Sequence, residues 1–363
     1  MAASFSSVLP SSVLPSPVLP ISAAAEQSSS AQLAMTRRIA RRSIYTFLQQ
    51  YQYFTTVAAP IALPFSLSWL LAQAWILPAP APALFPAVDA RLRSLFDAAG
   101  FPPSSEIFAA LRLSLKQSIS CSIITLPLAL SSFLIAKAAV IRALRRRRNP
   151  PAAEPISACF SPPNYAPLLR THIANSFLML SANATGLAVL FMAFILLRES
   201  GLSSFARASA VVSTAGAILF SVIRANAVVI CDLALVVSGM EKRGGCPAIL
   251  EACGTVGGRA SMALLLALPA NLGMAAIEAL FRHRIARPYR ESGSEASAAM
   301  VLEGLLIAYL HSLLIVLDTV VATMFFRSCK MMGSSDMKTA GEDDGGGFAG
   351  FKDFGRLPTN STV

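Results

Sequence analysis

Three ionisable residues, Glu303, His311 and Asp318, interrupt an apolar stretch at about 299–326, with separations of eight and seven residues. Each separation is close to two helical turns, so one stripe of a helix carries all three. A charge in hydrocarbon costs roughly 2.5 kcal/mol or more, and such groups usually face a cavity or a partner. A stripe of this kind can relay protons or cations along a transport path, with His311 able to change protonation near neutral pH. The plainer reading is hydrogen bonding between helices, with Glu303 close enough to a helix end to be hydrated. A second apolar stretch, about 208–240, holds Arg224 and Asp232. Eight residues of helix put them about 12 Å apart along the axis, so each needs a partner on another helix. An Arg224 to Asp318 pair is geometrically possible if the two helices touch. These five residues form the candidate intramembrane polar path.

Familiar catalytic chemistry has no signature here. The chain contains no Gly-rich phosphate loop, no H-E-x-x-H and no G-x-S-x-G, and its three histidines, His172, His283 and His311, are widely separated. The cysteines, Cys121, Cys159, Cys231, Cys246, Cys253 and Cys329, contain no C-x-x-C pair, which argues against a disulfide framework or a zinc site. Cys246, Cys253 and Cys329 are expected near membrane surfaces, either as free structural thiols or as palmitoylation sites. The expectation is a protein that is not an enzyme and has no cofactor and no metal.

The elements that must position the polar stripe follow from composition. Apolar residues make up 55% of the chain against 13% charged, and they fall in blocks of about twenty, the length that spans a bilayer. The fold class expected is all-α: a polytopic transmembrane helical bundle of about six helices with disordered N- and C-terminal tails. The segments fall at about 55–77, 118–141, 174–197, 208–240, 261–281 and 299–326. Pro60 and Pro64 are expected to kink the first, and the fourth either tilts or breaks near Arg224. The loop between the first two segments is expected to hold a short amphipathic helix around 90–99.

Residues 1–53 read as a disordered Ser/Pro-rich leader and basic segment, with Pro10, Pro15 and Pro20 at five-residue intervals and Arg37, Arg38, Arg41 and Arg42 beyond them. The leader also fits a transit peptide. Residues 54–326 form the membrane domain, and 327–363 a disordered polar tail.

The net charge of +11 lies mainly at the ends of the apolar blocks, where it sets orientation, so no nucleic acid is expected as a partner. More Lys and Arg fall on the side that holds both termini, which predicts both ends in the cytoplasm. Arg145, Arg146, Arg147 and Arg148 read as a stop-transfer signal, and alternatively as a site for anionic lipid head groups. The lipid bilayer itself, and possible membrane-protein partners, complete the expected contacts.

Between the fourth and fifth segments lies a short polar connector with Glu241, Gly245, Ala248, Ala252, Gly258 and Arg259. Small residues at this spacing let a connector helix lie close against the helix ends, with Glu241 and Arg259 able to pair across the hairpin. The pattern resembles the E-x3-G-x2-A-x3-S-x5-G-[KR] connector of a plant family of uncharacterised six-helix multi-pass membrane proteins, with Ala252 in place of the usual Ser and Thr255 in place of the usual Leu. That resemblance implies a fold and a membrane location but no reaction. The expected location is an endomembrane or the plasma membrane, or alternatively a chloroplast envelope. The leading expectation is a non-enzymatic membrane organiser or adaptor; the alternative is a transporter or channel-like protein using the polar face of the sixth helix.

Overall fold

The computed structural model describes residues 21–76, 86–98, 119–146, 162–199, 206–292 and 297–343. Those residues form helices and short connections, and six of the helices are long and apolar enough to cross a membrane. The chain is a multi-pass helical membrane protein.

Helix α1 (Ile21–Gln49) leads into α2, whose spanning stretch is Tyr51–Gln73. A short helix α3 (Pro86–Ala98) follows, at the place the sequence predicts an amphipathic one. The remaining long helices are α4 (Ile119–Arg145), α5 (Pro162–Glu199), α6 (Ala206–Glu241), α8 (Ala260–Tyr289) and α9 (Ala298–Asp343). The connector helix α7 (Cys246–Val256) joins α6 to α8.

Three boundaries differ from the sequence reading. Residues 21–36, expected to be disordered, belong to α1, because no proline occurs between Pro20 and Pro60 and Ala and Gln favour helix. The tail expected to be disordered from residue 327 continues α9 as far as Asp343, anchored by buried Phe325, Phe326 and Cys329. Of the two alternatives for the fourth segment, a tilt or a break near Arg224, the break is absent, and α6 runs through Arg224 without interruption. Residues 1–20 and 344–363 lie outside the described residues, as do Arg147 and Arg148.

Helix α9 is the centre of the bundle and touches α1, α2, α4, α6, α7 and α8. It passes through three apolar clusters in turn. Ile307 and Ala308 meet Leu70 and Phe281 at one end, Val316 and Val320 meet Phe54 and Leu144 in the middle, and Phe325 and Phe326 meet Ile39, Val237 and Met262 at the foot. At the foot α1 buries Thr36, Ile39, Ser43 and Thr46 and exposes Arg37, Arg38, Arg41 and Arg42.

Helix α2 shows how prolines are tolerated. A π-helical turn covers Phe54–Ala58, and the Ala59 N–H donates to the Phe54 carbonyl. Pro60 has no N–H to offer, so the Thr55 carbonyl needs another donor, and the Tyr309 hydroxyl of α9 supplies it at 3.1 Å. A second π turn at Ala129–Phe133 lies two residues beyond Pro127 in α4, and the Tyr165 hydroxyl of α5 donates to the Leu130 carbonyl there. Both π turns are thus tied to a neighbouring helix by a tyrosine hydroxyl, as a bundle in lipid requires.

Candidate functional site

Halfway along the spans, a cavity of about 370 Å³ opens between α2, α4, α6, α8 and α9. Ile315, the middle residue of the span Ala298–Met332, lines it, with His311 one turn above and Asp318 one turn below. From α4 comes Lys137, whose Nζ donates to Asp232 Oδ1 of α6 at 2.7 Å. The Lys137 side chain is only 3% exposed and Asp232 30%. A lysine buried this deeply requires a partner, and removing either member would strand a charge in low dielectric. Asp318, 8% exposed, lines the same cavity close enough for its charge to act on Lys137.

The wall beside this pair is aromatic. The Lys137 ammonium stands 4.9 Å from the Phe133 ring centroid, within cation–π reach. The π turn at Ala129–Phe133 ends at that ring, so the local widening of α4 helps set where Phe133 points. Phe133 lies 4.6 Å from Phe65, and Phe65 lies 6.2 Å from Trp69. Above the pair, Trp69 Nε1 donates to Glu278 Oε1 at 2.8 Å, and Arg282 approaches Glu278 Oε2 at 3.8 Å. Glu278 and Arg282 thus form a local pair four residues apart in α8, with a tryptophan added. His311 is 3% exposed and its Nδ1 has no hydrogen-bond partner among the described residues.

Of the five residues on the predicted path, the cavity collects Asp232, His311 and Asp318 and leaves out two. Glu303 sits near the start of α9, where Arg284 Nε donates to it at 2.7 Å, so it is satisfied at a helix end. Arg224 is half-buried two turns above Asp232 and does not line the cavity, so no Arg224 to Asp318 pair forms there. The upper parts of α5 and α6 pack on each other through close approaches of Gly186 to Phe220 and Gly216 to Leu190. Sequence reasoning missed Lys137 and Glu278 as cavity residues. Lys137 reads as one more cation before the arginine run, although a lysine inside the apolar 118–141 segment was itself the available signal.

The connector is a second polar region, at the foot. Gly245 opens α7 at φ 83°, and Ala248 and Ala252 are fully buried against the ends of α4, α6 and α8. Gly244 is required by contact, since a Cβ there would stand 2.6 Å from the Pro167 backbone of α5. The Gly245 N–H donates to Thr171 Oγ1 at 2.9 Å, which fixes α7 to α5. Glu241 and Arg259 do not pair across the hairpin as expected. Lys330 of α9 donates to Glu241, while Arg259 lies beside Cys329, because α9 extends far enough to come between them. Glu251 hydrogen-bonds to Glu241, and burial followed by this bond raises its carboxyl above the ordinary glutamate range. Cys246 and Cys253 are exposed, and Cys329, expected near the surface, is buried.

Among the described residues no cluster of three or more His, Cys, Asp or Glu could hold a metal ion. What the mid-span cavity can do is hold a cation against carboxylates and aromatic faces. Residues 161–340 match the family described as a domain of unknown function (DUF8558). The match spans α5 to α9 and so carries Asp232, Glu278, His311 and Asp318, whereas Lys137 and the three aromatic rings come from helices before it. No curated protein and no solved structure matches the chain.

Proposed function

We propose that the protein is a non-enzymatic carrier or channel-like protein for monovalent cations or protons, working through the mid-span cavity. One observation carries the reading: a buried lysine shares a cavity with two aspartates inside the membrane-spanning segments. One ammonium cannot neutralise two carboxylates. In low dielectric the second must hold a proton or another cation, and a group that gains and loses such an ion is the working part of a transport path. Lys137 then acts as an internal counter-charge that leans on Asp232 or Asp318 according to which of them is occupied.

The test is flux. Full-length protein in proteoliposomes, driven by an imposed potential, is expected to pass Na⁺, K⁺ or H⁺ above the protein-free baseline, and Asp318→Asn to return flux to that baseline. Wild-type flux equal to the baseline for these three ions and for propylammonium would sink the proposal. A companion test places a single cysteine at Ile315 in a background without native cysteines. A small charged thiosulfonate applied from one face is expected to label it, and protection from both faces would count against an aqueous path.

A second reading, a membrane organiser or adaptor, is favoured by one specific observation. The foot carries α1 with Arg37, Arg38, Arg41 and Arg42 exposed, together with exposed Arg145, Lys242 and Arg243, a basic face suited to anionic lipid head groups. On that reading, replacing the four α1 arginines by glutamine abolishes retention of anionic lipid during purification, while Asp318→Asn leaves it unchanged.

A further inference from the structure

We infer that the mid-span cavity is an amine site, and that its ligand is a small organic ammonium ion rather than a bare metal cation. The inference rests on the cation reading above and narrows it. Its first support is the charge balance. Glu278 is already engaged by the Trp69 indole and by Arg282, and Lys137 is paired with Asp232, so Asp318 is the cavity carboxylate left to a ligand cation when it is ionised.

The second support is the wall. Phe133, Phe65 and Trp69 give the cavity a continuous aromatic side. A metal cation needs several oxygen ligands in place of its water, and among the described residues no group of three or more His, Cys, Asp or Glu is placed to supply them. An alkylammonium needs one or two carboxylates for its head and an apolar or aromatic surface for its stem, and it gains from ring faces that a strongly hydrated ion cannot use.

The third support is Lys137 itself. Its side chain ends in an alkylammonium, and the cavity receives that head with a carboxylate at 2.7 Å and a ring centroid at 4.9 Å. The protein thus already holds a tethered amine in the posture a free one would take beside Asp318. His311 supplies the fourth. Its Nδ1, buried and unpartnered, can accept an N–H from an ammonium when the ring hydrogen is on Nε2. At about 370 Å³ the space is near the lower end of small-molecule pockets, which limits the ligand to a short chain.

Lys137 therefore competes with the ligand for the aspartates. The experiment uses propylammonium, which matches the atoms that Lys137→Ala removes beyond Cβ. Binding to the full-length protein in detergent is read by calorimetry, and protection by thermal shift, with Na⁺ and 1-propanol as controls. Wild-type protein is expected to bind propylammonium in preference to both controls. Asp318→Asn is expected to lose about tenfold or more in affinity, as loss of a charge-assisted contact implies. Lys137→Ala is expected to melt lower, to be restored by propylammonium but not by Na⁺, and to bind about tenfold tighter once the tethered competitor is gone.

If Lys137→Ala does not fold well enough to assay, wild type against Asp318→Asn still decides. Absence of wild-type binding, or wild-type binding untouched by Asp318→Asn, overturns the inference. So does binding seen in Lys137→Ala alone, because the cavity then has room for only one ammonium and Lys137 fills it. If metal-cation or proton flux persists without amine binding, the amine inference fails and the carrier reading stands; if flux is also absent, both fail.

Discussion

Two regions of this protein contain the same three-part constellation: one lysine and two carboxylates drawn from neighbouring helices. At mid-span it is Lys137 with Asp232 and Asp318; at the foot it is Lys330 with Glu241 and Glu251. The difference is solvent. Lys137 is 3% exposed and Lys330 is 64% exposed. Water and salt screen the foot cluster, so its surplus negative charge is dispersed over nearby Lys242, Arg243 and the medium. At mid-span Lys137 and Asp318 are buried, so dispersal is weaker there and the surplus is met by a bound ion, by a proton or by displacement of Lys137. The same residue types therefore fasten helix ends together in one place and create a demand for a ligand in the other.

The sharpest way to break the comparison is to delete each lysine. Lys137→Met strands Asp232 and is expected to destabilise the folded protein by about 3–5 kcal/mol, read by unfolding in mixed detergent. Replacing the pair together, as Lys137→Met with Asp232→Leu, is expected to recover most of that loss while abolishing flux. A double variant as unstable as the single one would show that the pair does more than neutralise itself.

Next in size is Gly244→Ala, which tests whether backbone contact rather than charge fixes the foot. The added Cβ would stand 2.6 Å from the Pro167 backbone, so about 1–3 kcal/mol of destabilisation is expected. An effect below that would mean that α5 and the connector can separate without strain.

Lys330→Met should be the mildest deletion, about 0–1 kcal/mol, and should lose its effect in high salt. A cost matching that of Lys137→Met would erase the distinction between the two regions. The smallest expected effect is one of pH. Because the folded protein raises the Glu251 carboxyl, its protonated form contributes stability at acidic pH. That contribution is lost as pH climbs from the ordinary glutamate range through the raised value. Glu251→Gln, neutral throughout, is expected to flatten this part of the stability profile, and an unchanged profile would remove Glu251 from the foot cluster.

How much of this was legible beforehand differs between fold and site. Apolar block length alone gave six spans, because lipid leaves helices few alternatives. Their ends were less legible. Residues 21–36 look polar enough to be disordered, yet α1 gains a face to bury because the foot of α9 and the start of α8 meet it. For the site, the periodicity of α9 puts His311 and Asp318 on one stripe and both line the cavity, but Glu303 shares the stripe and lies too near the helix end to reach it. Arg224 looked like the natural partner for an aspartate, whereas Lys137 holds that place.

The sequence by itself determined that this chain crosses the membrane as helices and that a few charges must be accommodated within it. Both follow from the cost of exposing backbone and charge to hydrocarbon, a cost that depends on composition and length and not on neighbours. Only the tertiary structure decided which charges meet. Lys137 and Asp232 are 95 residues apart in the chain, and what brings them together is the packing of α4 and α6 around α9. No local periodicity encodes that packing.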